Sequence, residues 1–129
     1  MKTRFDETKY WVTGMGVVTE IPEMETSHLM NTVRMFVVKP HRTMGMLISD
    51  VERNPVCNGT NEPWTPNIRG NVQDVRRQSI SNITSMSEKE LIEYTLNSPL
   101  CQAMLSELES RGVNVGNFVD MVIAGCESF

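Results

Sequence analysis

Residues 10–21 read YWVTGMGVVTEI, in which two short aromatic and β-branched runs flank a Gly-Met-Gly turn. Aromatic and β-branched residues favour strands, and glycine adopts the positive φ that a tight turn needs. The pattern predicts a β-hairpin with strands near residues 10–13 and 17–21, the second ended by Pro22. Because an isolated two-stranded hairpin is barely stable in water, we expect it to pack on a helix or on another chain.

The segment after the hairpin, residues 26–37, has the apolar periodicity of an α-helix. Four apolar residues share one helix face at the i, i+4, i+7 and i+8 positions, namely Leu29, Val33, Phe36 and Val37. Thr26 or Ser27 is suited to cap the first turn, and Pro40 ends the helix. A further apolar pattern over residues 44–51 predicts a short second helix.

The middle of the chain gives weaker signals. Residues 54–70 are rich in proline and glycine and contain Trp64, which predicts a long loop. A stretch of that length without regular structure is either a functional loop or a mobile one, and both interpretations stay open. The pattern of residues 71–86 is ambiguous and is compatible with a short helix.

Three local signals place helices in the C-terminal part of the chain. The sequence SEKE at residues 87–90 is a capping box that opens one helix. The sequence NSP at residues 97–99, a cap followed by proline at the first helical position, opens the next. That helix ends at residues 111–112, Arg-Gly, with glycine at the C′ position. Residues 117–123 predict a last helix, although their β-branched content leaves a strand open.

Together these elements predict an α+β fold in which an N-terminal β-hairpin packs on a mostly helical single domain over residues 1–129. The chain of 129 residues is 40% hydrophobic and 22% charged, a composition typical of one domain with one core. No apolar run approaches the ~20 residues that a membrane helix needs. We therefore expect no membrane partner.

The charge of the chain argues against duplex DNA as a partner. Twelve Lys+Arg face 16 Asp+Glu, which gives a net charge of -4, whereas proteins that wrap DNA are usually basic. The basic residues lie in two confined groups, Arg34, Lys39, His41 and Arg42 in the first, and Arg69, Arg76 and Arg77 in the second. Confined basic groups suit a small anionic ligand or an anionic patch on a partner. The simpler alternative is a solvated basic face.

The sequence contains no recognisable catalytic or metal-binding motif. Neither a glycine-rich phosphate loop nor a GxSxG or HExxH pattern occurs, and no cysteine lies at zinc-finger spacing from the two histidines. We predict no catalytic residue, no metal and no cofactor, although an enzyme is not excluded. Cys101 fits an apolar helix stripe, so we expect a buried, inert thiol rather than an activated one.

The compartment is inferred from the N-terminus and the cysteines. The first residues lack the apolar core of a signal peptide, and the number of cysteines, 3, is odd. Both observations favour reduced thiols, and we expect a cytoplasmic protein.

Two segments resemble a recurring class of small tailed-phage proteins. Residues 11–16 match its W-x-T-x-x-G hairpin, and residues 24–31 match its M-x-x-x-H-L-x-N helix. An acid-bearing helix that ends in Arg-Gly, residues 107–112, resembles the C-terminal part of that class. Within the class, the chain resembles the Thoeris anti-defence sponge family. The resemblance implies an oligomeric phage protein that binds a cyclic ADP-ribose isomer or a cyclic oligonucleotide and sequesters this immune signal without cleaving it.

A ligand of that kind sets the chemistry that the site must supply. Arginine donors suit pyrophosphate oxygens, an aromatic or methionine face suits adenine, and asparagine suits the edge of the base. The residues that we expect to bind the ligand are His28, Asn31, Arg34, Met35, Trp64 and Arg111. Two copies that bring their first helices together would line one pocket from both chains.

Structural roles for three of these residues stay open. The alternative for His28 and Asn31 is hydrogen bonding to backbone groups of the hairpin and the adjacent loop. The alternative for Trp64 is packing at a core edge or a subunit contact.

Other functions are also compatible with the sequence. The main alternative is a phage protein that inhibits a host or defence enzyme by direct contact, with the acidic C-terminal half docking on a basic surface. A virion or assembly component is a third hypothesis, and an enzyme ranks last.

Overall fold

The computed structural model describes residues 3–13, 15–53 and 72–127. The described residues form an α+β fold with two strands followed by six α-helices, which confirms the predicted fold class. In chain order these are β1 (Tyr10–Val12), β2 (Val18–Glu20), α1 (Thr26–Val38), α2 (Pro40–Arg53), α3 (Val72–Thr84), α4 (Glu88–Asn97), α5 (Pro99–Ser110) and α6 (Val115–Glu127). Short 3-10 turns lie at Arg4–Asp6 and Ile21–Glu23. The predicted loop over residues 54–70 lies outside the described residues.

The predicted hairpin is confirmed. β1 and β2 pair antiparallel with Trp11 opposite Thr19, and each strand is three residues long. Gly16 has a φ of +83°, and its N–H donates to the carbonyl oxygen of Thr13 at 2.9 Å. Only glycine adopts such a φ without steric cost, so the turn depends on this residue.

The Trp11 side chain joins the hairpin to the core. Its ring lies 5.8 Å from the ring of Phe36, which lies 5.7 Å from the ring of Phe5, both centroid to centroid and edge to face. The ring quadrupoles favour this arrangement. Trp11 is 7% exposed and the two phenylalanines are fully buried. Because Phe36 belongs to α1, the expectation that the hairpin packs on a helix is confirmed.

One cluster of buried apolar side chains fills the interior of the described structure. α1 lies at its centre and contacts α2, α4, α5 and α6. The apolar stripe predicted for this helix is buried in full, namely Leu29, Val33, Phe36 and Val37.

The ends of α4 and α5 follow the local signals in the sequence. The Ser87 hydroxyl accepts the N–H of Glu90, and the Glu90 carboxylate accepts the N–H of Ser87, both at 3.1 Å. The Ser98 hydroxyl accepts the N–H of Cys101 at 3.3 Å, and Gly112 ends α5 with a φ of +89°. The predicted capping box, the Ser-Pro start and the C′ glycine are all confirmed.

The second helix is longer than the sequence pattern predicts. The apolar residues indicate 44–51, whereas α2 begins at Pro40, only one residue after α1 ends. Proline is suited to this place because its φ is already helical and the first turn needs no N–H from it. The helices predicted near 71–86 and 117–123 are present as α3 and α6.

Candidate functional site

A groove of about 1120 Å³ separates the N-terminal segment and β1 from α2. Residues of the 3–13 segment form one wall, and Met35 of α1 contributes to the lining. The other wall is one face of α2, with side chains at the i, i+4, i+8 and i+11 positions, namely Arg42, Met46, Asp50 and Arg53. Ligand pockets in proteins usually hold roughly 300–1000 Å³, so this groove has room for an elongated ligand.

The two walls are held together by Arg4 and Asp50. The Arg4 side chain donates from Nε and Nη2 to the two carboxylate oxygens of Asp50, at 3.0 and 2.9 Å. The Arg4 backbone N–H donates to the same carboxylate at 2.9 Å. A bidentate, charge-assisted contact of this kind is directional and strong. It therefore fixes the N-terminal segment against a helix 46 residues further along the chain.

Three further cations line the groove, Lys9, Arg42 and Arg53. Within residues 3–13, 15–53 and 72–127, none of the three forms an ion pair. Their N–H donors therefore remain available to an anion, which lysine and arginine bind through charge-assisted hydrogen bonds.

Two carboxylates at the N-terminal wall are held by local backbone amides. Asp6 accepts the N–H of Thr3 at 2.9 Å, and Glu7 accepts the N–H groups of Thr8 and Lys9 at 3.1 and 2.9 Å. Four basic and three acidic side chains line the groove, which gives it a formal charge of +1 in a chain of net charge -4. The groove is thus more basic than the protein as a whole.

Methionines supply the apolar part of the lining. Met35 and Met46 are half-buried, and methionine adapts its shape to different apolar ligands. Trp11 also contributes to the lining, but its ring is packed into the core and offers little free surface. Tyr10, at 42% exposure, is the more accessible aromatic ring at this edge of the hairpin.

A second cavity, of about 500 Å³, lies between the N-terminal turn and α4 and has an acidic lining. Asp6, Glu90 and Glu93 all contribute to it. Hydrogen bonds from the backbone N–H of Ser87 and with its hydroxyl hold the pKa of Glu90 below its ordinary value, which keeps this carboxylate charged. An acidic lining repels anions, so we expect an anionic ligand to bind in the groove beside α2 rather than in this second cavity.

The described residues predicted to bind the ligand lie in separate places. Met35 lines the groove, whereas Arg34 and Asn31 face the α1–α6 contact. There Arg34 Nη1 donates to Asn31 Oδ1 at 2.9 Å, and the guanidinium carbon lies 5.9 Å from the ring centroid of Phe118, a cation–π distance. His28 is half-buried near the start of α1. The ligand-binding roles of these residues stay predictions.

Arg111 uses its donors within the chain. Nη1 donates to the Met24 carbonyl oxygen at 2.7 Å and to Thr26 Oγ1 at 3.1 Å, and Nη2 donates to the Pro22 carbonyl oxygen at 2.9 Å. Nε donates to Glu107 at 3.0 Å. Arg111 therefore clamps the end of α5 to the segment that enters α1, and its predicted role in ligand binding stays a prediction.

Several other sequence predictions concern chemistry at single residues. Cys101 is fully buried, as predicted, and burial raises the pKa of its thiol to about 12, so the thiol is inert near neutral pH. Trp64 lies outside the described residues. The described ranges contain no group of three or more His, Cys, Asp and Glu side chains arranged to hold a metal ion. They also contain no helix that is both long and apolar enough to cross a membrane.

Sequence reasoning missed most of the groove for two reasons. It began the second helix at residue 44, so the stripe that joins Arg42 to Arg53 at helical spacing was not recognised. It also assigned no structure to the residues before the hairpin, although Arg4 and Lys9 lie there. The helical spacing of the α2 stripe is the signal that would have identified this wall.

Comparison of the chain with protein-family models, with curated proteins and with solved structures yields no match to any of them.

Proposed function

We propose that the protein binds a nucleotide-derived immune signal, either a cyclic ADP-ribose isomer or a cyclic oligonucleotide, and sequesters it without cleaving it during phage infection of a bacterium. The observation that carries this proposal is a methionine-lined groove with three cations, Lys9, Arg42 and Arg53, that form no ion pair within the described residues. Arginine and lysine bind phosphate oxygens, and methionine packs against the face of a base.

The place of action in this proposal is the cytoplasm of the infected bacterium, and the active form is a homo-oligomer. The tip of the hairpin supports association between copies, because Met15 is 94% exposed and Val17 is 57% exposed. Apolar side chains grouped at such a tip are stabilised when a second copy covers them.

Native mass spectrometry tests this function directly. The protein is purified gently from cells whose defence systems are active, and its mass is compared with that of protein from cells lacking them. We expect a multimer that carries an intact ligand of nucleotide mass only in the first sample. A bare protein from both samples, together with no binding of added cyclic ADP-ribose isomers or cyclic oligonucleotides, refutes sequestration.

A charge variant of the groove completes the test. Arg42→Gln removes one unpaired cation at the groove, whereas Arg77→Gln removes an 80% exposed cation on α3 that does not line it. We expect the first variant to lose the retained ligand and the second to keep it.

A further inference from the structure

β1 has a free edge in the described structure. In the hairpin ladder, the Ile21 N–H donates to the Lys9 carbonyl oxygen at 2.9 Å, so Lys9 and Trp11 direct their backbone groups towards β2. Alternate residues of an antiparallel strand point the opposite way, so Tyr10 and Val12 turn their N–H and C=O groups outwards. No described residue bonds these four groups.

This free edge belongs to the groove. Tyr10 and Val12 both line it, as does the stripe of α2 that carries Arg42 and Arg53. β1 and the adjacent ladder residues, 9–13, span about 14 Å at the rise of a strand. The α2 wall from Arg42 to Arg53 spans about 16 Å at the rise of a helix. Two walls of similar length form a channel that fits an extended chain of about five residues.

We propose that the groove takes up an extended acidic segment of a partner protein, which adds to β1 as a third strand. The outward N–H and C=O groups of Tyr10 and Val12 repeat at strand spacing, and another extended backbone supplies the alternating donors and acceptors that match them. Acidic side chains of that segment would reach the cations Lys9, Arg42 and Arg53. This interaction goes beyond signal sequestration and does not depend on it. Because the acidic segment and the nucleotide-derived signal bind the same cations, the two ligands compete for the groove.

Fluorescence anisotropy measures the interaction with a defined probe. A labelled peptide of four Glu-Val repeats is titrated with the full chain, and a peptide of four Lys-Val repeats serves as the control of opposite charge. We expect the acidic peptide to bind at least about tenfold more tightly, with an affinity that falls as salt is added. Equal binding of the two peptides, or none, overturns the proposal.

Amide hydrogen exchange shows whether the bound peptide forms a strand. We expect binding of the acidic peptide to slow exchange at Tyr10 and Val12, whose N–H groups bond no described residue, and to change Trp11 little, whose N–H already faces β2. Peptide binding without this alternation would place the peptide elsewhere and overturn strand addition. This readout uses the unmodified protein, so it does not depend on a variant that folds.

A pair of proline variants tests whether the peptide binds to the free edge of β1. Val12→Pro removes an outward N–H beside the groove, and Val18→Pro removes an outward N–H directly opposite, on the edge of β2 away from the groove. Proline is tolerated where a strand N–H faces outwards. We expect Val12→Pro to weaken peptide binding about tenfold and Val18→Pro to leave it unchanged. Equal effects of the two variants on peptide affinity overturn the proposal. Failure of cyclic nucleotides to bind the wild-type chain refutes only sequestration.

Discussion

Arg4 and Asp50 form a bidentate contact that ties the N-terminal segment to the last turn of α2, with side-chain hydrogen bonds of 3.0 and 2.9 Å. The Asp50 side chain is 10% exposed and that of Arg4 is 32% exposed. The contact sets the distance between the two walls of the groove, so the shape of the candidate site depends on it.

Loss of this contact is expected to destabilise the protein. Arg4→Gln leaves a largely buried carboxylate with only part of its hydrogen bonds, and we expect the free energy of unfolding to fall by about 1–2 kcal/mol. Urea denaturation measures this change. Arg77→Gln is the matched control, because the Arg77–Asp74 pair is exposed and 3.8 Å long, and we expect a change below about 0.5 kcal/mol. Equal effects of the two variants would show that the Arg4 contact does not hold the wall.

Arg111 is expected to stabilise the fold. Arg111→Ala leaves the carbonyl oxygens of Pro22 and Met24 without their donor, so we expect the Tm to fall by about 10 °C. Arg34 is exposed on α1, and Arg34→Ala is expected to stay within about 3 °C of the wild type. Thermal melts of both variants check this difference. A small change in Tm for Arg111→Ala would contradict a structural role for these hydrogen bonds and would leave ligand binding as the remaining predicted role of Arg111.

Two glycine substitutions are expected to change stability in opposite directions. Gly45 lies in the interior of α2 with nothing within 4 Å of an added Cβ, so Gly45→Ala should stabilise by about 0.5–1 kcal/mol through the lost freedom of the unfolded chain. Gly112 has a φ of +89°, and Gly112→Ala should destabilise by about 1 kcal/mol. Denaturant midpoints of the two variants measure both signs. A stabilising Gly112→Ala would contradict the assigned end of α5, and a destabilising Gly45→Ala would contradict the open helix interior at Gly45.

The burial of Cys101 predicts how its thiol titrates. Because the pKa is raised from 9.0 to about 12, the folded protein holds this proton more tightly than the unfolded chain. The contribution of this thiol to stability is therefore complete below pH 9 and is lost as the pH rises from 9 towards 12. In a Cys57→Ser/Cys126→Ser background, Ellman's reagent at pH 8 should label no thiol until denaturant is added. Rapid labelling of the folded protein would show that Cys101 is accessible.

The features predicted correctly from the sequence are those that depend on neighbouring residues. The hairpin turn at Gly16, the capping box at Ser87 and the end of α5 at Gly112 each follow from the stereochemistry of a few adjacent positions. The groove could not be predicted in this way. It depends on the contact of Arg4 with Asp50, and local periodicity carries no information about which distant segments meet.

The residues of the candidate site were likewise only partly predictable from local sequence patterns. Met35 was expected to contact a ligand and lies in the groove, whereas Arg34, the next residue along α1, bonds Asn31 and faces the α6 contact instead. Residues that are close in sequence on one helix therefore separate into different surfaces. The position of α2 beside β1 decides which of them share a site.

Calorimetric titration with anionic ligands tests directly whether the groove binds anions. Wild-type protein, Arg42→Gln/Arg53→Gln and the surface control Arg77→Gln/Lys89→Gln are titrated with cyclic ADP-ribose isomers, cyclic dinucleotides and the acidic peptide. We predict that the wild type and the surface control bind at least one of these ligands equally well, and that the groove variant binds it at least about tenfold more weakly with an unchanged Tm. Equal affinities for the groove variant and the surface control, or no binding of any ligand by the wild type, would contradict the assignment of the groove as an anion-binding site.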